Sequence, residues 1–79
     1  MKAKVYITPK AGILDPQGLT IERSLPALGF EGVSNVRVGK YIELELPDGD
    51  AAGEAVDQMC HKLLANPIIE DFEFELVSE

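Results

Sequence analysis

Cys60 and His61 place a thiol next to an imidazole, the pair a nucleophilic enzyme uses, so they are the first residues to test. On a helix, adjacent side chains point about 100° apart, and a nucleophile needs its base within hydrogen-bond reach. The pair therefore reads as structural. Gly39-Lys40 is the second candidate, as the end of a phosphate-binding loop. That loop needs a glycine five places before the Gly-Lys pair and a Ser or Thr after it; the chain has Ser34 and Tyr41 there. A turn with an exposed lysine is the simpler reading. Glu43, Glu45, Glu73 and Glu75 supply carboxylates for acid-base work, but they alternate with apolar residues and fit the outer face of strands. One histidine and one cysteine leave no zinc site. Nothing here amounts to a self-contained active site.

The elements that position these residues follow from the period of the apolar pattern. Ala3, Val5 and Ile7 alternate with Lys4, Tyr6 and Thr8, and Pro9 stops this first strand. Lys10 to Gly18 is a loop. Asp15-Pro16 reads as an N-cap with proline at the first helical position, and a helix follows to about Leu28, with Gly29 as its C-terminal cap. Pro26 forces a kink or an early end. Val33–Val38 and Tyr41–Leu46 are β-rich runs, and Gly39-Lys40 predicts a hairpin between them. A three-residue turn is favoured, because it sets Val36 opposite Ile42. An aspartate of Pro47-Asp48-Gly49-Asp50 caps a second helix, whose stripe is Ala52, Ala55, Val56, Met59 and Leu63. Asn66-Pro67 ends that helix, and Phe72, Phe74 and Leu76 alternate with acids in a last strand.

The predicted order is βαββαβ in one domain, residues 1–79. Its expected form is ferredoxin-like α+β: a four-stranded antiparallel sheet with both helices on one face. Strand one would lie between the third and fourth strands, setting Lys2 and Lys4 among the acidic teeth. Ile13 and Leu14 are open to two readings, a plug under helix one or a contact for another chain.

Seventy-nine residues make a marginal core, and such domains often gain stability from a partner or a second copy. A formal charge of −7 and a pI near 4.5 argue against nucleic acid as a partner. No apolar run approaches the ~20 residues that span a bilayer, and the N-terminus lacks a signal peptide's apolar region. A lone cysteine fits a reducing compartment, so the expected location is the cytoplasm.

Lys10-Ala11-Gly12-Ile13-Leu14-Asp15-Pro16-Gln17-Gly18, then Leu28-Gly29, Val36-Arg37-Val38-Gly39-Lys40 and Leu63-Leu64-Ala65-Asn66-Pro67-Ile68-Ile69-Glu70-Asp71-Phe72 resemble, in order, the small S subunit of phosphoribosylformylglycinamidine synthase. The resemblance covers nearly the whole chain. It implies a non-catalytic subunit of a purine-biosynthesis ligase. In that family a large synthetase subunit uses ATP and magnesium, a glutaminase subunit releases ammonia, and the small subunit joins the two and assists ammonia transfer. The complex converts a formamide to a formamidine, yielding ADP, phosphate and glutamate. The resemblance implies a dimer or tetramer and no cofactor on this chain alone. It marks Asp15, Pro16, Gln17, Gly18, Arg37, Gly39, Lys40, Asn66, Pro67 and Glu70 as interface or shape-defining residues. The alternative from another class is an ACT-like module binding a small ligand, since such domains share the βαββαβ order.

Overall fold

The computed structural model describes residues 1–78. Strand β1 is Lys2–Pro9, helix α1 Pro16–Ser24, strand β2 Lys40–Glu45, helix α2 Ala52–Met59 and strand β3 Glu70–Val77. The sheet is antiparallel, in the order β2-β1-β3. Lys4 stands opposite Glu43 on one side and Glu75 on the other. The expectation that β1 lies centrally between two acidic strands is thus met. Ala3, Val5 and Ile7 put the apolar face of β1 fully inside, where Val56, Cys60 and Ala65 close over it.

The sheet has three strands, which corrects the expected four-stranded ferredoxin-like sheet. Residues 33–39 form no strand, and there is no hairpin at Gly39-Lys40. Two contacts explain this. The Val36 and Val38 N–H groups, which a ladder would need, donate instead to Glu22 Oε1 at 3.0 Å and Asp15 Oδ2 at 2.7 Å. Gly39 lies so close to the Ile7 carbonyl oxygen that a Cβ there would overlap it. Chain direction is therefore fixed straight into β2 rather than turned.

The helices are not both on the sheet. α2 covers it, while no residue of α1 joins the buried cluster. α1 starts as expected, with Asp15 accepting from the Gly18 N–H at 3.0 Å and Pro16 in the first turn. It ends at Ser24; Pro26–Leu28 continue as a 3₁₀ turn, closed by Gly29 at φ 94°. The expected aspartate cap on α2 is absent: its N-cap is Ala51, with no side-chain bond. The buried line on α2 is Ala52, Val56 and Cys60, whereas Met59 and Leu63 of the predicted stripe are exposed. After Met59 the helix widens into a π turn, Cys60–Leu64, closed by Ala65 N–H to Cys60 O at 3.0 Å. In such a turn, residues five apart approach the same face, so both Cys60 and Ala65 reach the core.

The outcome is an elongated molecule of 49 × 28 × 14 Å, with a radius of gyration of 16.0 Å. A compact chain of this length has about 12 Å.

Candidate functional site

β1 ends at Pro9, while β2 and β3 begin at Lys40 and Glu70, so antiparallel order brings all three junctions to one end of the sheet. The residues singled out from sequence gather there in two groups. Asp15, Gly18, Arg37 and Gly39 form the first. The two Asp15 oxygens hold the Gly18 and Val38 N–H groups, tying the start of α1 to the approach to β2. Those donors, with Arg37 nearby, hold the carboxyl below the usual aspartate range. Arg37 Nη2 donates to the carbonyls of Lys10 at 3.2 Å and Ile13 at 2.9 Å, clamping the loop after β1. Gly18 is buried against the Val36 carbonyl, and a Cβ would fill that space. Pro16 and Gln17 stand exposed at the start of α1.

The second group is Asn66, Pro67, Glu70 and Lys40. Glu70 Oε1 accepts the Asn66 N–H at 2.7 Å, the Glu70 N–H donates to the Asn66 carbonyl at 2.7 Å, and Asn66 Oδ1 takes the Ile68 N–H at 3.1 Å. These bonds close the corner that Pro67 begins. Lys40 Nζ reaches Glu70 Oε2 at 3.5 Å, and Lys10 Nζ reaches Asp71 Oδ1 at 2.7 Å. The groups meet through Lys10, whose N–H donates to Ile69 O at 2.9 Å while its carbonyl accepts Arg37. Around them Leu14 and Ile68 are largely exposed, at 76% and 80%. Of the two readings of Leu14, contact for another chain is the one its exposure favours.

Glu22 was not singled out from sequence. Its partner lies fourteen residues away, and a helical glutamate carries no local signal of such a bond. Tyr6 and Tyr41 were also missed; they stack 5.2 Å apart on the open sheet face, with hydroxyls donating to Glu75 and Glu43. The Glu43 bond pushes Tyr41 up to about 12.

Cys60 and His61 part company as helix geometry requires. The thiol is buried in the core, where burial pushes its pKa up. His61 lies outside, edge-on to Phe72 at 5.1 Å, with Nδ1 2.9 Å from the Asp57 carbonyl. Among the described residues no three His, Cys, Asp or Glu side chains group to hold a metal, and no helix is long and apolar enough to cross a membrane. What this end of the molecule can do chemically is hold loops in place and offer a shaped surface.

Comparison with known proteins decides the family. Residues 2–78 match the family model PurS, described as phosphoribosylformylglycinamidine (FGAM) synthase. The chain belongs to the PurS family. A PurS subunit from Synechocystis sp. is 46% identical over 77 residues, covering 95% of this chain and 77% of the relative. Bacillus subtilis PurS superimposes with a TM-score of 0.83 at 43% identity, covering 94% of each chain. A chain of the PurLQS structure from Thermotoga maritima matches with a TM-score of 0.75 at 30% identity, covering 94% of this chain and 93% of that one. As a PurS subunit, the chain is a component of phosphoribosylformylglycinamidine synthase, a purine-biosynthesis enzyme. The PurS match spans both the sheet and the α1 extension, so the unusual elongation falls within the family's shared region.

Proposed function

We propose that this PurS chain connects the ATP-dependent large subunit to the glutaminase subunit and helps ammonia pass between them, acting as a dimer or tetramer. Its likeness to a chain of PurLQS supports a place in such an assembly. The observation that carries the reading is where the candidate residues spend their polar groups. Asp15, Arg37, Asn66 and Glu70 all bond to this chain's own backbone, which shapes a docking end rather than building a site for chemistry. ATP and magnesium belong to the large subunit in this reading: Lys10 and Lys40 are each committed to a carboxylate. The exposed Leu14, Leu28, Phe30 and Ile68 provide apolar area for partners.

Reconstitution tests it. The other two subunits are assayed with glutamine or with ammonia, with and without this chain. The expected result is a glutamine-dependent rate that needs the chain and an ammonia-dependent rate that needs it much less. Equal glutamine-dependent rates with and without it would reject the connecting role.

A further inference from the structure

No residue of α1 joins the buried cluster, so its direction must be fixed by other means. Among the described residues two hydrogen bonds tie α1 and its cap to the extended ribbon, residues 36–46, that runs into and through β2. Asp15, the N-cap, accepts the Val38 N–H at 2.7 Å, and Glu22 Oε1 accepts the Val36 N–H at 3.0 Å. Seven residues separate the two acceptors, about 10 Å along a helix axis. Attachment at Asp15 alone leaves a pivot; a second attachment at that distance fixes an angle. Gly18 lies between them on the same face, at spacings of three and four, and its lack of a Cβ lets α1 close on the Val36 carbonyl.

Packing does not supply the same restraint. An open cleft of about 350 Å³ lies between α1 and the ribbon, with Ile13, Leu19, Glu22 and Arg37 in its walls. Residues 26–35, the connection back to the ribbon, are exposed throughout, and Gly32 and Asn35 there take left-handed backbone angles, φ 80° and 59°. Leu28 and Phe30 travel with α1: the N–H groups of Leu25, Leu28 and Phe30 bond back to the carbonyls of Ile21 and Leu25, which carries the helix end on through the 3₁₀ turn. We propose that Glu22 is a positioning residue for the synthase reaction, holding α1 at one angle to the ribbon so that Leu28 and Phe30 reach the other subunits as a pre-set surface. The inference rests on the connecting role proposed above and names a residue on which it depends. Without the Glu22 bond both apolar side chains are still present, but their placement must be ordered at the moment of docking. That cost weakens assembly and leaves the chemistry of the assembled complex as it was.

Glu22→Ala and Glu22→Gln test it together, since the glutamine side-chain carbonyl can still accept the Val36 N–H. In the reconstituted synthase, the concentration of chain that gives half the maximal glutamine-dependent rate should rise at least ~10-fold for the alanine variant and stay near the parent value for the glutamine variant. The rate at saturating chain should be the same for all three. Residual dipolar couplings on the full chain alone read the angle directly: α1 amides should share the alignment frame of the sheet in the parent and the glutamine variant, and lose it in the alanine variant. An alanine variant that keeps the α1 angle, or that saturates at the parent's concentration, overturns the inference. So does a glutamine variant as weak as the alanine one, which would make the charge the cause, or an alanine variant that does not fold, which would make Glu22 part of the fold's own support. A parent chain without effect on the glutamine-dependent rate overturns the connecting role, and the couplings then judge the hold of Glu22 on α1 by themselves.

Discussion

The half of the molecule made by the sheet and α2 and the half made by residues 10–38 are held together by different forces. In the first, Ala3, Val5, Ile7, Val56 and Cys60 are essentially inaccessible to water, and burial of apolar surface is the dominant favourable term. In the second, Gly18 is the one buried residue among those described, and Ile21, Leu28, Phe30 and Val33 remain exposed. Its shape depends on side chains bonded to backbone: Asp15 to Val38, Glu22 to Val36, Arg37 to Lys10 and Ile13. A segment built this way has a defined path and little cohesion of its own. The compact half is a base, and the extended half keeps its apolar residues on the surface.

Ile7→Ala attacks the base and should have the largest effect. Ile7 is 1% exposed at the centre of the sheet, and such truncations cost ~2–5 kcal/mol against ~4–12 kcal/mol expected for a chain of this length. Thermal melting should show a fall of more than ten degrees or failure to fold. Ile21→Ala, on the exposed side of α1, should leave the isolated chain's melting nearly unchanged. If the two truncations cost the same, the halves share one core and the contrast fails.

Gly39→Ala comes next, because Gly39 is where the extended half joins the base. A Cβ overlaps the Ile7 carbonyl oxygen, and backbone cannot yield as a side-chain tip can. Overpacking of this kind costs about 1–3 kcal/mol. Urea denaturation should show the loss, with exchange first increasing around Thr8 and Lys40. A neutral result would mean that the ribbon is free to shift away from β1.

Asp15→Ala should act on the extended half alone. It removes the acceptor for Gly18 and Val38, so the Val38 amide should exchange at least roughly tenfold faster while Val5 and Val56 stay protected. The acid dependence has a definite sign. The folded carboxyl sits below its ordinary value, so its contribution is fully present above the unfolded pKa, ~4, and is lost as pH falls through the lowered folded value. The difference between the parent chain and Asp15→Ala should therefore shrink below about pH 4. A difference constant with pH would mean that the carboxylate's charge is irrelevant to the tie.

Much of the base was legible in the sequence, because alternation in Ala3-Lys4-Val5-Tyr6-Ile7 and Phe72-Glu73-Phe74-Glu75 is local and its consequence is local. The Asp15-Pro16 start and the Gly29 cap were legible for the same reason. Val33–Val38 misled because β-propensity describes a residue's fit to a pleated surface, without specifying which surface. The competing bonds from Asp15 and Glu22 span 23 and 14 residues, a range at which periodicity carries no information. Met59 and Leu63 were misplaced in the second helix's stripe: the buried line runs through Ala52, Val56 and Cys60, and the π turn Cys60–Leu64 carries it on to Ala65 instead of Leu63. The candidate residues came from resemblance, and the structure shows Asp15, Arg37 and Glu70 bonded to loop backbone within the chain and Gly39 packed against the Ile7 carbonyl of β1.

Lys40→Met should have the smallest effect and sharpens the contrast most finely. Lys40 opens β2 opposite Ile7, and its ammonium is 3.5 Å from Glu70 Oε2, the one ion pair described between the starts of β2 and β3. The lysine side chain is 59% exposed, and exposed pairs contribute ~0–1 kcal/mol. In a domain of this size that is a melting shift below about 4–8 °C. Glu70 keeps its bond to the Asn66 N–H in the variant, so the corner at Pro67 should hold its shape and nearby amides their protection. A loss as large as that of Gly39→Ala would assign this ion pair a part in holding the strand ends of the base together that backbone packing is here given.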